Sequence, residues 1–152
     1  MGGNSEIEPT GDCSIRFGGV APLQAREAFR DEMNAEILAF FRTLPESTHA
    51  ASVVFFMQHF RTPFFPKCDY FKNYYAPSWS IIHWLERKGS NHSPFLPTGR
   101  CHALSAHAMA LFLHPLDDHL NDGQLPTTHL SLLLRSQAWL RMNTALQRMA
   151  EG

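Results

Sequence analysis

Three features that the sequence lacks limit what the protein can be. The chain of 152 residues has no run of 18 apolar residues, so no transmembrane helix is predicted. Its 3 cysteines are far apart, which argues against a disulfide framework and against a Cys-x-x-Cys metal site. The 13 Lys and Arg residues against 14 Asp and Glu give a net charge of -1, so no overall positive field favours a nucleic acid or an anionic membrane surface.

The N-terminal part of the sequence differs from the rest. Residues 1–21 are rich in Gly and polar side chains without periodicity, which predicts a flexible arm. This segment lacks the basic start and hydrophobic stretch of a secretory signal, so we expect a cytoplasmic protein. The remaining residues, 22–152, are predicted to form a single helical domain.

Helical periodicity dominates this second part. Apolar residues recur at helical spacing from Phe29 to Leu44, which predicts a first helix closed by Pro45. Further helices are predicted over residues 50–60 (with Ser47 or Thr48 as a cap), 67–75, 78–88, 100–121 and from Thr127 or Thr128 to 150. Because no alternation typical of strands appears, the predicted fold class is all-α, an antiparallel helical bundle of about five to six helices.

The helix predicted over residues 100–121 carries the most information about function. Between His102 and Leu116 it contains no Lys, Arg, Asp or Glu, so we expect it to be surrounded by other helices. Three carboxylates, Asp117, Asp118 and Asp122, follow directly. A helical wheel places them within an arc of about 140° together with His107, His114 and Asn121, whereas His119 points elsewhere.

This acidic end opposes two electrostatic preferences. The carboxylates repel one another, and they lie near the negative end of the helix dipole. A divalent cation would relieve both conflicts, and carboxylate oxygens on adjacent turns suit Mg²⁺, which takes one or two carboxylates together with substrate phosphates. The alternative is an ordinary solvated helix end.

A hydrophobic helix that ends in Asp-Asp-x-x-x-Asp, followed by a short loop and a second helix, resembles the first aspartate-rich motif of class I isoprenoid synthases. These are the prenyltransferases, squalene and phytoene synthases and terpene cyclases. The resemblance covers residues 100–145, and the usual prenyltransferase spacing is Asp-Asp-x-x-Asp. It implies half of such a helical bundle, an isoprenoid diphosphate as substrate, and Mg²⁺ held by Asp117, Asp118 and Asp122 as the catalytic and metal-binding residues.

Other residues are candidates for the same site. Arg135 lies within an apolar run, where its guanidinium needs an anionic or carbonyl partner, and it could face the aspartates or the diphosphate. His114 and Asn121 are the other candidate substrate-binding residues. The phenylalanines between residues 55 and 71 either shelter a carbocation or are plain core.

The family pairs this motif with a second metal-binding motif, and no such motif follows Asp122 in this sequence. We therefore expect one half or subunit of a larger enzyme, a homo- or hetero-oligomer in which a second chain carries the other motif, or a non-catalytic relative.

Two other functions compete with the isoprenoid hypothesis. His107, His114 and Asp118 would instead bind Zn²⁺ or Fe²⁺ in a metal-dependent hydrolase. Alternatively, the protein is a non-catalytic interaction subunit whose last helix docks a partner through its wide apolar face. Four leucines at helical spacing form this predicted face, which two further side chains widen: Leu130, Leu133, Leu134 and Leu140, with Leu132 and Trp139.

Overall fold

The computed structural model describes residues 23–88 and 95–151, and most of these residues lie in α-helices. The helices are α1 (Leu23–Arg42), α2 (Glu46–His59), α3 (Ala76–Trp79), α4 (Ile81–Lys88), α5 (Pro97–Asn121) and α6 (His129–Glu151), with a 3-10 turn at Tyr70–Asn73. No strand occurs in these ranges, so the predicted all-α fold is confirmed. None of the described helices has the length and apolar character needed to cross a membrane. The predicted arm, residues 1–21, lies outside the described residues.

Helix α5 is the centre of the molecule, as its lack of charged residues predicts. The ring of Phe112 is fully buried and lies 5.4 to 6.3 Å, centroid to centroid, from five other aromatic rings. These rings belong to Phe40, Phe41, Phe56, Phe60 and Tyr70. Helices α1 and α2 and the 3-10 turn are therefore joined to α5 by one aromatic cluster.

Two contacts define how α1 packs on α5. Glu32 of α1 pairs with Arg100 near the start of α5, and Phe40 contacts Phe112 two to three turns later. Both contacts advance together along the chain, so α1 and α5 run in the same direction. The apolar stripe predicted for α1 is confirmed, since its members are at most 5% exposed.

Helix α6 returns along α5 to form an antiparallel hairpin. Arg135, near the start of α6, contacts Asp117 near the end of α5, and Arg141 contacts Ser105 farther from the loop. Leu134, Ala138 and Ala145 form its buried face. Gly123 has a φ of 69° in the connection, a conformation that glycine adopts without steric cost.

The prediction of a helix over residues 67–75 is wrong, because the segment forms only a short 3-10 turn, Tyr70–Asn73. The side chain of Asn34 on α1 explains the difference. Its Nδ2 donates to Asp69 at 2.8 Å, and its Oδ1 accepts the backbone N–H of Phe71 at 3.2 Å. Because this tertiary contact occupies an N–H that a longer helix would pair internally, the segment stays tied to α1.

Several predicted boundaries also differ from the structure. Helix α2 begins at Glu46, before both predicted caps, and α5 begins at Pro97, where proline fits a first helical turn. The helix predicted over residues 78–88 is divided into α3 and α4. Leu140, which the spacing placed with Leu134 on one apolar face, is 60% exposed.

Pro115 lies inside α5 and leaves the carbonyl of Leu111 without its usual N–H donor. Two tyrosine hydroxyls replace that donor: Tyr74 at 3.1 Å and Tyr70 at 3.4 Å donate to the Leu111 oxygen. These bonds let α5 continue through the proline to Asn121, and they thereby position the acidic end.

The shorter of these two bonds can be tested directly. Tyr74→Phe should lower the free energy of unfolding by about 1 kcal/mol, because it removes a hydrogen bond to a carbonyl that has lost its helical donor. The measurement is urea unfolding followed by circular dichroism. Tyr75→Phe is the matched control, since Tyr75 is 72% exposed; equal loss in both variants would contradict the role of Tyr74.

Candidate functional site

Asp117 lies on the side of α5 that faces α6 and is held by Arg135. Nε and Nη2 of Arg135 donate to Oδ1 and Oδ2 of Asp117 at 2.6 and 3.3 Å. The two side chains are 40% and 35% exposed, so solvent screens part of their attraction. The guanidinium supplies this carboxylate with its charge partner and joins the two helices near their connection. The sequence left open whether Arg135 faces the aspartates or a diphosphate, and in the structure it contacts Asp117.

Asp118 lies one residue further and has different neighbours. Its Oδ2 is 3.1 Å from Nδ1 of His114, one turn earlier on α5. Both side chains border an open groove of about 300 Å³, to which Tyr74, Tyr75 and His119 also contribute. Burial, together with the Asp118 carboxylate, raises the pKa of Tyr74. The groove therefore combines an exposed carboxylate with aromatic side chains.

Asn121 and Asp122 are exposed where α5 ends. The backbone N–H of Asp122 donates to the carbonyl of Asp118 at 2.9 Å, so the last turn is intact. Among the described residues, no Lys or Arg lies within ion-pair distance of the Asp118 or Asp122 carboxylates.

The donor set fits Mg²⁺ only in part. Within residues 23–88 and 95–151, no three His, Cys, Asp or Glu side chains are grouped so that they could hold a metal ion. Asp118 and Asp122 offer the hard oxygen ligands that Mg²⁺ prefers, and Asp117 would first have to share its oxygens with Arg135. A bound Mg²⁺ would therefore need additional oxygens from a diphosphate, from water or from residues of another chain.

His107 is separated from this group. Its Nε2 lies 2.7 Å from the carbonyl oxygen of Ser78, and its ring is half-buried against that segment. His114 and Asp118 lie about two and three turns further along α5. The structure thus does not assemble the three residues that the hydrolase hypothesis requires.

His119 lines part of the groove beside Asp118, and its ring is directed to α2. Its Nδ1 is 2.8 Å from Nε2 of His59, the last residue of α2. The ring of Phe55 stacks on His59 at a centroid distance of 5.5 Å. Sequence reasoning missed this pair because its members are 60 residues apart and no motif connects them.

The phenylalanines between residues 55 and 71 belong mainly to the core. Phe56, Phe64 and Phe71 are at most 6% exposed and pack on other rings or on α5. Phe55 and Phe60 are half-buried beside His59. Only Phe65 of this group is largely exposed, at 72%.

Comparison with known proteins gave no relative: no family model, no curated protein and no solved structure matches the chain.

Three histidines give the fold a pH dependence. Burial lowers the pKa of His59, His83 and His107 below the ordinary value of 6.5, and for His59 the neighbouring His119 adds to the effect. The unfolded chain therefore binds more protons than the folded chain when the pH falls below that value.

We expect the urea midpoint to be constant between about pH 7 and pH 8 and to fall progressively as the pH decreases below 6.5, as the stabilisation from the neutral histidines is lost. His59→Gln should reduce this dependence, and His129→Gln, at an exposed position, should leave it unchanged. A midpoint that does not change over this range would show that the histidines do not contribute in this way.

Proposed function

We propose that the chain binds an isoprenoid diphosphate through Mg²⁺ at the acidic end of α5, as one half or subunit of a larger helical enzyme. The observation that carries the proposal is the pair Asp118 and Asp122. These exposed carboxylates are four residues apart, Asp118 in the last turn of α5 and Asp122 directly after it, and have no Lys or Arg partner among the described residues. Residues at this spacing lie on the same side of a helix.

The local charge supports a cation at this position. Three carboxylates fall within six residues of the chain. Among the described residues, Arg135 is the only Lys or Arg paired with one of them, and Asp118 contacts the imidazole of His114. The mutual repulsion of the carboxylates and the helix dipole each cost a few tenths of a kcal/mol to about 1 kcal/mol at an exposed position. A divalent cation between Asp118 and Asp122 would interact favourably with both the carboxylates and the negative end of the helix dipole.

The incomplete donor set is compatible with the role. Mg²⁺ in phosphate-transfer sites is commonly held by one or two carboxylates, with phosphate and water oxygens completing the octahedron. Asp118 and Asp122 would supply these carboxylates. Asp117, kept in place by Arg135, would be a third ligand only if the guanidinium turned towards the diphosphate.

Other residues of the chain have defined tasks in this proposal. Tyr74 and Tyr75 line the groove beside Asp118; in this proposal their rings would contact the first carbons of a prenyl chain and stabilise positive charge. His114, paired with Asp118, would orient that carboxylate. Mg²⁺, when bound with the diphosphate, would neutralise its oxygens and favour cleavage of the allylic C–O bond.

The proposal is tested by calorimetric titration with a non-hydrolysable farnesyl diphosphate analogue, with Mg²⁺ or with EDTA. We expect binding only with Mg²⁺, and we expect Asp118→Asn to weaken it by about tenfold or more, which equals about 1.4 kcal/mol. Helicity should not change, because the side chain is exposed.

Glu27→Gln, an exposed carboxylate-to-amide change near the start of α1, is the matched control and should bind as the unmodified chain does. Equal affinity of Asp118→Asn and the unmodified chain, or binding that does not depend on Mg²⁺, would contradict the proposal.

A second candidate function, helix-mediated association without chemistry, is favoured by the outer face of α6. Leu132, Trp139 and Leu146 are 45%, 41% and 47% exposed. Their spacing of seven residues places them within an arc of about 40° on the helix. Around a two-fold axis at Trp139, two antiparallel copies of α6 would place Leu132 of one copy opposite Leu146 of the other. A second copy of the chain is therefore the occupant that we propose for this face.

Sedimentation velocity over a concentration series tests the association. We expect a dimer whose dissociation constant rises about thirtyfold or more in Trp139→Ala, because loss of a central tryptophan costs about 2 kcal/mol. Met57→Ala, at a 39% exposed position on α2, should have no effect. A chain that remains monomeric at all concentrations would exclude this function.

A further inference from the structure

A second cavity lies on the opposite side of α1 from α5 and shares no lining residue with the acidic end. It has a volume of about 360 Å³ and is bounded by the second half of α1, by His49 on α2 and by the segment 64–68. Its lining includes apolar, aromatic and cationic side chains: Leu38, Arg42, His49, Phe64, Phe65 and Lys67. Its volume lies at the lower end of the range for small-molecule sites.

Part of the lining of this cavity is apolar. Leu38 and the buried ring of Phe64 belong to this part. Phe65, 72% exposed, meets Phe64 edge to face at a centroid distance of 5.2 Å. A large aromatic side chain at the rim of a cavity provides contact area for an apolar ligand at little conformational cost.

Other side chains of the lining are cationic. Nζ of Lys67 lies 2.8 Å from Oδ1 of Asp31, so these two charges offset each other. Arg42, exposed at the end of α1, has no Asp or Glu within ion-pair distance among the described residues. His49 also belongs to the lining. The cavity thus has one uncompensated positive charge.

Asn34 and Cys68, the buried polar residues of the lining, do not need a ligand. Both ends of the Asn34 amide are occupied, by Asp69 and by the N–H of Phe71. Burial raises the pKa of the Cys68 thiol to about 11, so it remains neutral and does not repel an anion. Recognition is left to Arg42, Lys67 and His49.

We propose that this cavity binds a small organic monoanion with an apolar body, such as a carboxylate or sulfonate. The anionic head would accept hydrogen bonds from the guanidinium of Arg42, and the body would lie against Leu38, Phe64 and Phe65. A single uncompensated cation beside apolar side chains matches one negative charge, whereas a phosphate group carrying two charges would leave one of them without a cationic partner.

The probe is 8-anilinonaphthalene-1-sulfonate, an aromatic monoanion whose fluorescence rises in an apolar site. Titrations are made in EDTA, so that the result does not depend on Mg²⁺ binding at the acidic end of α5. We expect saturable binding that decanoate displaces and inorganic phosphate does not. Arg42→Gln should weaken it about tenfold, as expected when a charge-assisted hydrogen bond is lost. Phe65→Ala should weaken it as well.

Two controls make the assignment specific. Arg26→Gln removes a charge from an exposed position on the same helix outside the cavity and should not change binding. Met149→Ala alters an apolar groove between α5 and α6, where the dye could also bind, and should likewise have no effect. Unsaturable binding, equal affinity in Arg42→Gln, or loss of binding in Met149→Ala alone would overturn the proposal.

Discussion

The burial of α5 is the constraint on which the rest of the structure depends. A segment of 15 residues, from His102 to Leu116, contains no charged Lys, Arg, Asp or Glu side chain and must be covered by other elements. Phe112 shows how this is achieved, because its ring contacts aromatic residues from α1, α2 and the 3-10 turn. Helix α6 covers another face with small residues, Ala138 and Ala145, which allow close approach.

The acidic end begins where this burial stops. Leu116 is fully buried, whereas the next residue, Asp117, is 35% exposed and reaches Arg135 on α6. Because successive residues of a helix point in directions about 100° apart, Asp118 lies at the groove beside Tyr74 and not at Arg135. The three acids therefore have three different surroundings although they are close in sequence, and this difference determines which of them remain available to a cation.

Much of the fold could be predicted because the underlying signals are local. The spacing of Phe29, Met33 and Ile37 predicts α1 and its buried face, and the absence of charge predicts the central place of α5. The loop around Asp69 could not be predicted, because Asn34, distant in sequence, supplies the hydrogen bonds that prevent a longer helix there. Periodicity also misplaced Leu140, since tertiary packing decides which side of α6 is covered.

The candidate site was predictable to a smaller extent. The sequence brings Asp117, Asp118 and Asp122 together on one helix end, and it marks Arg135 as a cation in need of a partner. It could not show that Arg135 pairs with Asp117 in particular, nor that His59 meets His119, because both contacts depend on how helices pack. The cavity beside Arg42 has no sequence motif, since its residues come from three separate segments.

The most direct test of the magnesium site uses Mn²⁺, which binds to the same oxygen ligands and broadens nearby nuclear magnetic resonances. Backbone amide spectra of the labelled chain would be recorded during titration with Mn²⁺ and inorganic pyrophosphate. The account predicts that the amide signals of Asp118 and Asp122 broaden first, and that they broaden only when both components are present. Broadening that is strongest elsewhere in the chain, or that is the same without pyrophosphate, would contradict a metal and diphosphate site at the end of α5.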